Sequence, residues 1–146
     1  MNDEFLIDSN ILVYAFDSAE KEKHDKASYF LKNAVKQEEG FLSVQTLSEF
    51  HSAVTAKIEK KISREKSLET LRELKDNFRI IRYDESTIIE AINLEIIYKI
   101  PFWDALIAAT MQENNLKTIC TENEKDFKKV PWIKTINPLK EQRKIQ

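Results

Sequence analysis

Short apolar runs alternate along this chain with longer amphipathic stretches, and that alternation limits the available architectures more than any other feature. Phe5-Leu6-Ile7, Phe41-Leu42-Ser43, Phe78 to Tyr83 and Thr118-Ile119-Cys120 are too short for helices and are flanked by polar residues, so they read as strands. Asp8-Ser9-Asn10 then opens a helix over Ile11 to Phe16. From Lys23 to Val35, Ala27, Phe30, Leu31, Ala34 and Val35 recur at spacings of three and four, a helix ended near Gly40. Ser43 can cap a helix carrying Val44, Leu47, Phe50, Val54 and Ile58 on one face, and a second, from Ser63 through Leu68, Leu71 and Leu74, completes a helical hairpin. Asp84 caps a helix with Ile88, Ile89, Ile92 and Ile96 along its apolar side. Past Pro101 a helix runs from Phe102 through Met111 and stops at Asn114-Asn115, where Asn takes the left-handed cap. Trp132 to Ile136 suits a final edge strand. Strands alternating with helices imply a parallel sheet covered on both faces, a three-layer α/β/α sandwich with right-handed crossovers and a protruding helical hairpin. One domain is expected over 1–138, followed by a charged tail over 139–146.

Composition excludes several chemistries. The 146 residues are enough to bury roughly 70% of the unfolded chain's surface, so packing alone can hold the fold. With Gly40 the only glycine, neither a P-loop nor a dinucleotide-binding fingerprint can be present. One Cys and two His cannot build a disulfide framework or a structural zinc site, so any metal here is held by oxygen. Lys+Arg 23 against Asp+Glu 25 leaves a net charge of −2, and a polyanion would need a local basic surface or bound cations. Asp3 and Glu4 follow Met1 in place of a basic leader, and no apolar run is long enough to span a bilayer, so no membrane association and a cytoplasmic location are expected.

In parallel sheets ligands bind beyond the carboxyl ends of the strands. That rule directs attention to Asp8, to Ser43 onward and to Thr121 onward. Asp8 is either a helix N-cap or a carboxylate at the rim of the sheet. Glu49 can point along the same rim, or serve as the far end of a capping box in Thr46-Leu47-Ser48-Glu49. Asp104 falls in the first turn of a helix, where the macrodipole favours a negative side chain, and the small apolar residues Ala105 to Ala109 let that helix pack deeply and fix the carboxylate. Thr121-Glu122-Asn123-Glu124-Lys125-Asp126 adds oxygens at another strand end. Carboxylates converging there would repel one another unless a hard cation such as Mg²⁺ or Mn²⁺ sat among them.

Asp8 in LIDSNILVYAFD, Glu49 in SVQTLSEF, Asp104 in PFWDALIAAT and the segment TICTENEKDF follow one another as do the motifs of the PIN-domain ribonucleases, which the chain resembles over nearly its whole length. Its compact length is similar to that of the VapC-type toxins of toxin–antitoxin pairs. The resemblance implies a small parallel sheet flanked by helices, Mg²⁺- or Mn²⁺-dependent hydrolysis of RNA phosphodiester bonds, an antitoxin partner that engages the helical hairpin, and a homodimer. By position it makes Asp8, Glu49 and Asp104 catalytic and metal-binding. Many family members have an Asp where this chain has Asn123, and others use an acidic residue three positions later, here Asp126. Asn123 is therefore a metal-ligand candidate and Asp126 a catalytic one.

Ser9 and Thr121 could orient a ligand or water, or simply cap and turn the chain. Lys57, Lys60, Lys61, Arg64 and Lys66 form a basic cluster at the hairpin tip, suited to RNA phosphates or to a solvated surface, with Glu59 and Glu65 diluting its field. Lys128 and Lys129 beside Phe127 are a second such patch. No catalytic role falls to His24, His51 or Cys120, although His51 stays close enough in sequence for a weak substrate contact, and Trp103 and Trp132 are assigned to core packing or interface burial ahead of base stacking. Two other functions compete. A haloacid-dehalogenase-type phosphatase would want a second Asp at position 10, where Asn10 stands, and a catalytically degenerate binding or dimerisation module is favoured by Asn123.

Overall fold

The computed structural model describes residues 4–140. In chain order the elements are β1 (Phe5–Ile7), α1 (Ser9–Tyr14), α2 (Lys21–Gln37), β2 (Gly40–Ser43), α3 (Val44–Ala56), α4 (Arg64–Asn77), β3 (Arg79–Ile81), α5 (Glu85–Tyr98), α6 (Phe102–Glu113), β4 (Thr118–Cys120), α7 (Glu124–Phe127) and β5 (Lys134–Ile136). All five strands are parallel, in the order β3-β2-β1-β4-β5. The expected α/β/α sandwich is present.

Strand alternation divides the core in two. Leu6, Ile81 and Ile119 point to one face, packed against Ala91 and Leu94 of α5 and Ala105 to Met111 of α6. Ile7 and Leu42 point to the other, against Ile11 and Leu12 of α1, Ala27 and Ala34 of α2, and Phe50, Val54 and Leu74 of the α3–α4 pair. The helical hairpin thus roots itself in the core by its inner faces and leaves Lys57, Lys60, Lys61 and Arg64 exposed at its tip. Leu139 is buried in this second cluster and Lys140 reaches Glu124 at 3.2 Å; the remainder of the expected tail, 141–146, lies outside the described residues.

Two local expectations are corrected, and Ser43 is borne out as the cap of α3. Helix α2 does not end on glycine: Glu38 takes the left-handed cap (φ 59°), and no glycine has positive φ. Gly40 instead opens β2, where a Cβ would stand 3.0 Å from the Phe78 ring and 3.3 Å from Ile7 Cδ1, so a larger residue requires those side chains to give way by a few tenths of an ångström. The capping box at the start of α3 joins Ser43 and Thr46, which leaves Glu49 free of that duty in the second turn. On α5 the isoleucine side faces solvent. Ile88, Ile89, Ile92, Ile96 and Ile97 are exposed, while Thr87, Ala91 and Leu94 are buried.

Candidate active site

The strand order reverses at β1: the chain builds outward to β2 and β3, then crosses back to lay β4 on the other side of β1. The crevice beyond the carboxyl ends of β1 and β4 is the place such a sheet offers a ligand. Asp8 follows β1 there and Thr121 follows β4, and Asp8 N–H continues the ladder by donating to Cys120 O at 3.0 Å.

Asp8 is only 5% exposed. Its Oδ1 accepts from the Ser9 amide (2.8 Å), so it does cap α1, and its Oδ2 accepts from Thr121 Oγ1 (2.7 Å) and Asn10 Nδ2 (3.2 Å). Burial raises its pKa from 3.8 to about 6, against the lowering effect of these bonds and with a further push from the Glu49 charge. Capping and rim placement, alternatives in the sequence, are both realised.

Glu49 projects from α3 toward the same rim. Ser9 Oγ donates to its Oε1 at 3.0 Å, and Gln45, one turn earlier on α3, donates from Nε2 to its Oε2 at 3.0 Å. Asp104, in the first turn of α6, accepts at Oδ2 from Asn123 Nδ2 (3.0 Å) and has the Asp126 carboxyl as a hydrogen-bond neighbour. Its pKa is also raised to about 6, by desolvation first and then by the charge of Asp8. Asn123 and Asp126 therefore both stand at Asp104, and Lys129 Nζ lies 3.6 Å from Asp126 Oδ1. Ser9 and Thr121 belong to the site as partners of Glu49 and Asp8.

Of the basic residues, Lys57 lines a 460 Å³ cleft whose walls include Glu49; Lys60, Lys61 and Arg64 do not contribute to those walls. The histidines are engaged elsewhere: His24 Nδ1 lies 3.1 Å from Tyr14 O and His51 Nδ1 lies 2.8 Å from Ser67 Oγ, across the hairpin. Cys120 is buried, which pushes its thiol up to about 12 and leaves it un-ionised. Trp132 packs on the core as expected, whereas Trp103 is 60% exposed beside Asp104, which removes core packing for that residue and leaves interface burial or base stacking.

Gln45 was not singled out in the sequence. Besides holding Glu49, its Nε2 donates to Trp103 O (3.1 Å), tying α3 to the first turn of α6 next to Asp104. Both partners are acceptors, which orients the amide with its nitrogen toward them and leaves the buried Oε1 without a partner. The available signal was a glutamine four residues before Glu49 on one helix face.

Among the described residues no three His, Cys, Asp or Glu side chains are gathered tightly enough to share one ion as they stand. Donor chemistry nevertheless suits a hard cation: every candidate is an oxygen ligand, and Asp8 and Asp104 are held back from ionising by burial and by neighbouring carboxylates, a penalty that a cation reverses.

A parallel sandwich with a buried Asp at its switch point, faced by Glu49 from α3 and Asp104 from α6, defines a protein class by fold and site together. The PIN domain family model matches residues 5–133, and the chain belongs to the PIN-domain family. Among solved structures it is similar to a toxin–antitoxin complex from Klebsiella pneumoniae, at 25% identity and a TM-score of 0.65, covering 92% of this chain and 98% of the other. It is also similar to VapBC2 from Rickettsia felis bound to a promoter DNA fragment (22% identity, TM-score 0.66, 91% and 97% covered). Mycobacterium tuberculosis VapC20, a sarcin–ricin loop cleaving toxin, shares the fold (11% identity, TM-score 0.68, 86% and 94% covered). Comparison with curated proteins returned no match. The resemblance drawn from the four motifs thus holds at the level of family and fold.

Proposed function

We propose that this chain is a metal-dependent endoribonuclease that hydrolyses RNA phosphodiester bonds and acts as the toxin of a type II toxin–antitoxin pair. The observation that carries the proposal is geometric: at the switch-point crevice Thr121 bonds Asp8 (2.7 Å), Ser9, the next residue after Asp8, bonds Glu49 (3.0 Å), and Asn123 bonds Asp104 (3.0 Å), which brings the three carboxylates to one rim. Asp8, Glu49 and Asp104 would hold Mg²⁺ or Mn²⁺, with Asn123 and Asp126 completing the set from the β4 end. Such a cation supplies positive charge to offset the phosphate oxygens and acidity that lets water act as nucleophile without a histidine base. The chain's own residues do the rest: Thr121 and Asn10 orient Asp8, Ser9 and Gln45 orient Glu49, and Lys57 attracts the polyanion.

PIN-domain membership and the likeness to the Klebsiella toxin–antitoxin complex support the antitoxin partner. The isoleucine face of α5 supports the homodimer, since a contiguous exposed apolar face marks a contact surface. Among the described residues no helix is long and apolar enough to cross a membrane. We place the protein in the cytoplasm, with its function carried by a single domain over 1–138. The phosphatase reading lacks its second carboxylate: Asn10 donates to Asp8 and accepts the Glu122 amide at Oδ1 (3.1 Å), and an Asp could not do both. The degenerate-module reading draws on Asn123, which brings an amide and no charge to Asp104. Cleavage of labelled RNA in Mg²⁺ or Mn²⁺, lost in EDTA and in Asp8→Asn, separates catalysis from that module.

A further inference from the structure

We propose that the cleft between α3 and the start of α6 is a nucleoside-binding subsite, in which the indole of Trp103 stacks on a base of single-stranded RNA next to the scissile phosphate. The inference rests on the ribonuclease reading and locates where that substrate is gripped. The cleft has a volume of 460 Å³, within the range of about 300–1,000 Å³ usual for ligand sites, and its walls combine Trp103 and Tyr83 with the hydroxyls of Ser48 and Ser52, the Glu49 carboxylate and the Lys57 ammonium.

Three features favour a nucleotide as its occupant. Trp103 leaves most of its indole in solvent although its neighbours Ala105 to Met111 are buried, and an aromatic beside a cation is the platform on which bases of any sequence stack. Phe102 meets that indole edge-on (centroids 5.0 Å apart, 74° between planes), and the backbone beneath it is tied to α3 by the bond from Gln45 to the Trp103 carbonyl. Because the same Gln45 amide holds Glu49, the first turn of α6 that carries Trp103 is tied directly to the acidic rim. Finally, Lys57 caps the C-terminus of the helix that carries Glu49, eight residues further on and about 12 Å along its axis, so it meets a phosphate other than the one facing Glu49. A wall carrying hydroxyls and one cation complements a polyanion with polar base edges better than it does an apolar protein segment.

The test uses the full chain in EDTA, with labelled single-stranded oligoribonucleotides of randomised sequence as the probe. RNA is expected to quench the intrinsic fluorescence of the parent and of Trp132→Phe but not of Trp103→Phe. Trp103→Ala is expected to weaken binding roughly 5- to 100-fold, Trp103→Phe to restore most of it, and Lys57→Ala to lower the slope of log affinity against log salt by about one. Unchanged affinity in Trp103→Ala overturns the proposal, as does an absence of RNA binding both in EDTA and in Mg²⁺. Unchanged affinity accompanied by loss of a dimer would assign the indole to a protein contact. The two readings fail separately: RNA that quenches Trp103 but is never cut with Mg²⁺ or Mn²⁺ removes the ribonuclease and keeps the subsite, whereas metal-dependent cutting with the same KM in Trp103→Ala does the reverse.

Discussion

Asp8 is subject to opposing demands. Burial disfavours its charge, bonds from Ser9, Asn10 and Thr121 favour it, and burial wins, leaving the pKa near 6. Between 3.8 and about 6 the folded metal-free chain keeps a proton that the unfolded chain has released, so this contribution to stability falls as pH rises through that window and stays low above it. Thermal unfolding in EDTA is expected to follow that sign, and Asp8→Asn to flatten the fall and raise Tm at neutral pH, with a gain in unfolding free energy of about 3 kcal/mol at most given the size of the shift. A variant less stable than the parent at neutral pH would mean that the bonds to the carboxylate outweigh its burial. Gln45 poses the converse case, in which stability and activity separate. Gln45→Met removes the orphaned Oε1 along with two donated bonds, changes that offset each other in stability, while Glu49 loses its tether. Little movement in Tm is expected, with RNA cleavage lowered roughly 10- to 100-fold; parallel losses of both would reduce Gln45 to packing.

Most elements were legible because their apolar period matches their burial. Helix α5 and its Asp84 cap were legible too, but its buried face was not, and the reason lies in its neighbour. Ala105, Ala108 and Ala109 give α6 a shallow surface that admits the backbone of α5 closely, so α5 buries Thr87, Ala91 and Leu94 and turns its bulkier isoleucines outward. A helix with two apolar sides does not declare from sequence which one faces the core. If the outward side is the homodimer contact, Ile89→Glu with Ile96→Glu is expected to convert a dimer to a monomer by light scattering with its circular dichroism unchanged; a variant that stays dimeric places the contact elsewhere. The four-residue α7 escaped notice for a different reason: one buried residue, Phe127, anchors it, too little to show a period. It nonetheless carries Asp126 to Asp104.

For the molecule as a whole, the location of the site follows from topology. Parallel strands and a reversal at β1 make the crevice, and Asp8, Glu49 and Asp104 line its rim because each lies just past a strand end or in the first two turns of a helix that starts at that edge. Sequence could not reveal the bonds that aim the carboxylates, or the exposure of Trp103, since both depend on how α3 and α6 approach across the sheet. The central claim is that this rim cuts RNA with a cation, and it is tested most directly by incubating purified protein with a mixed set of labelled RNAs at neutral pH, above the pKa of Asp8 and Asp104, in Mg²⁺ or Mn²⁺. Cutting that disappears in EDTA, in Asp8→Asn and in Asp104→Asn is the predicted result, whereas parent protein that cuts no RNA better than those two variants would contradict it.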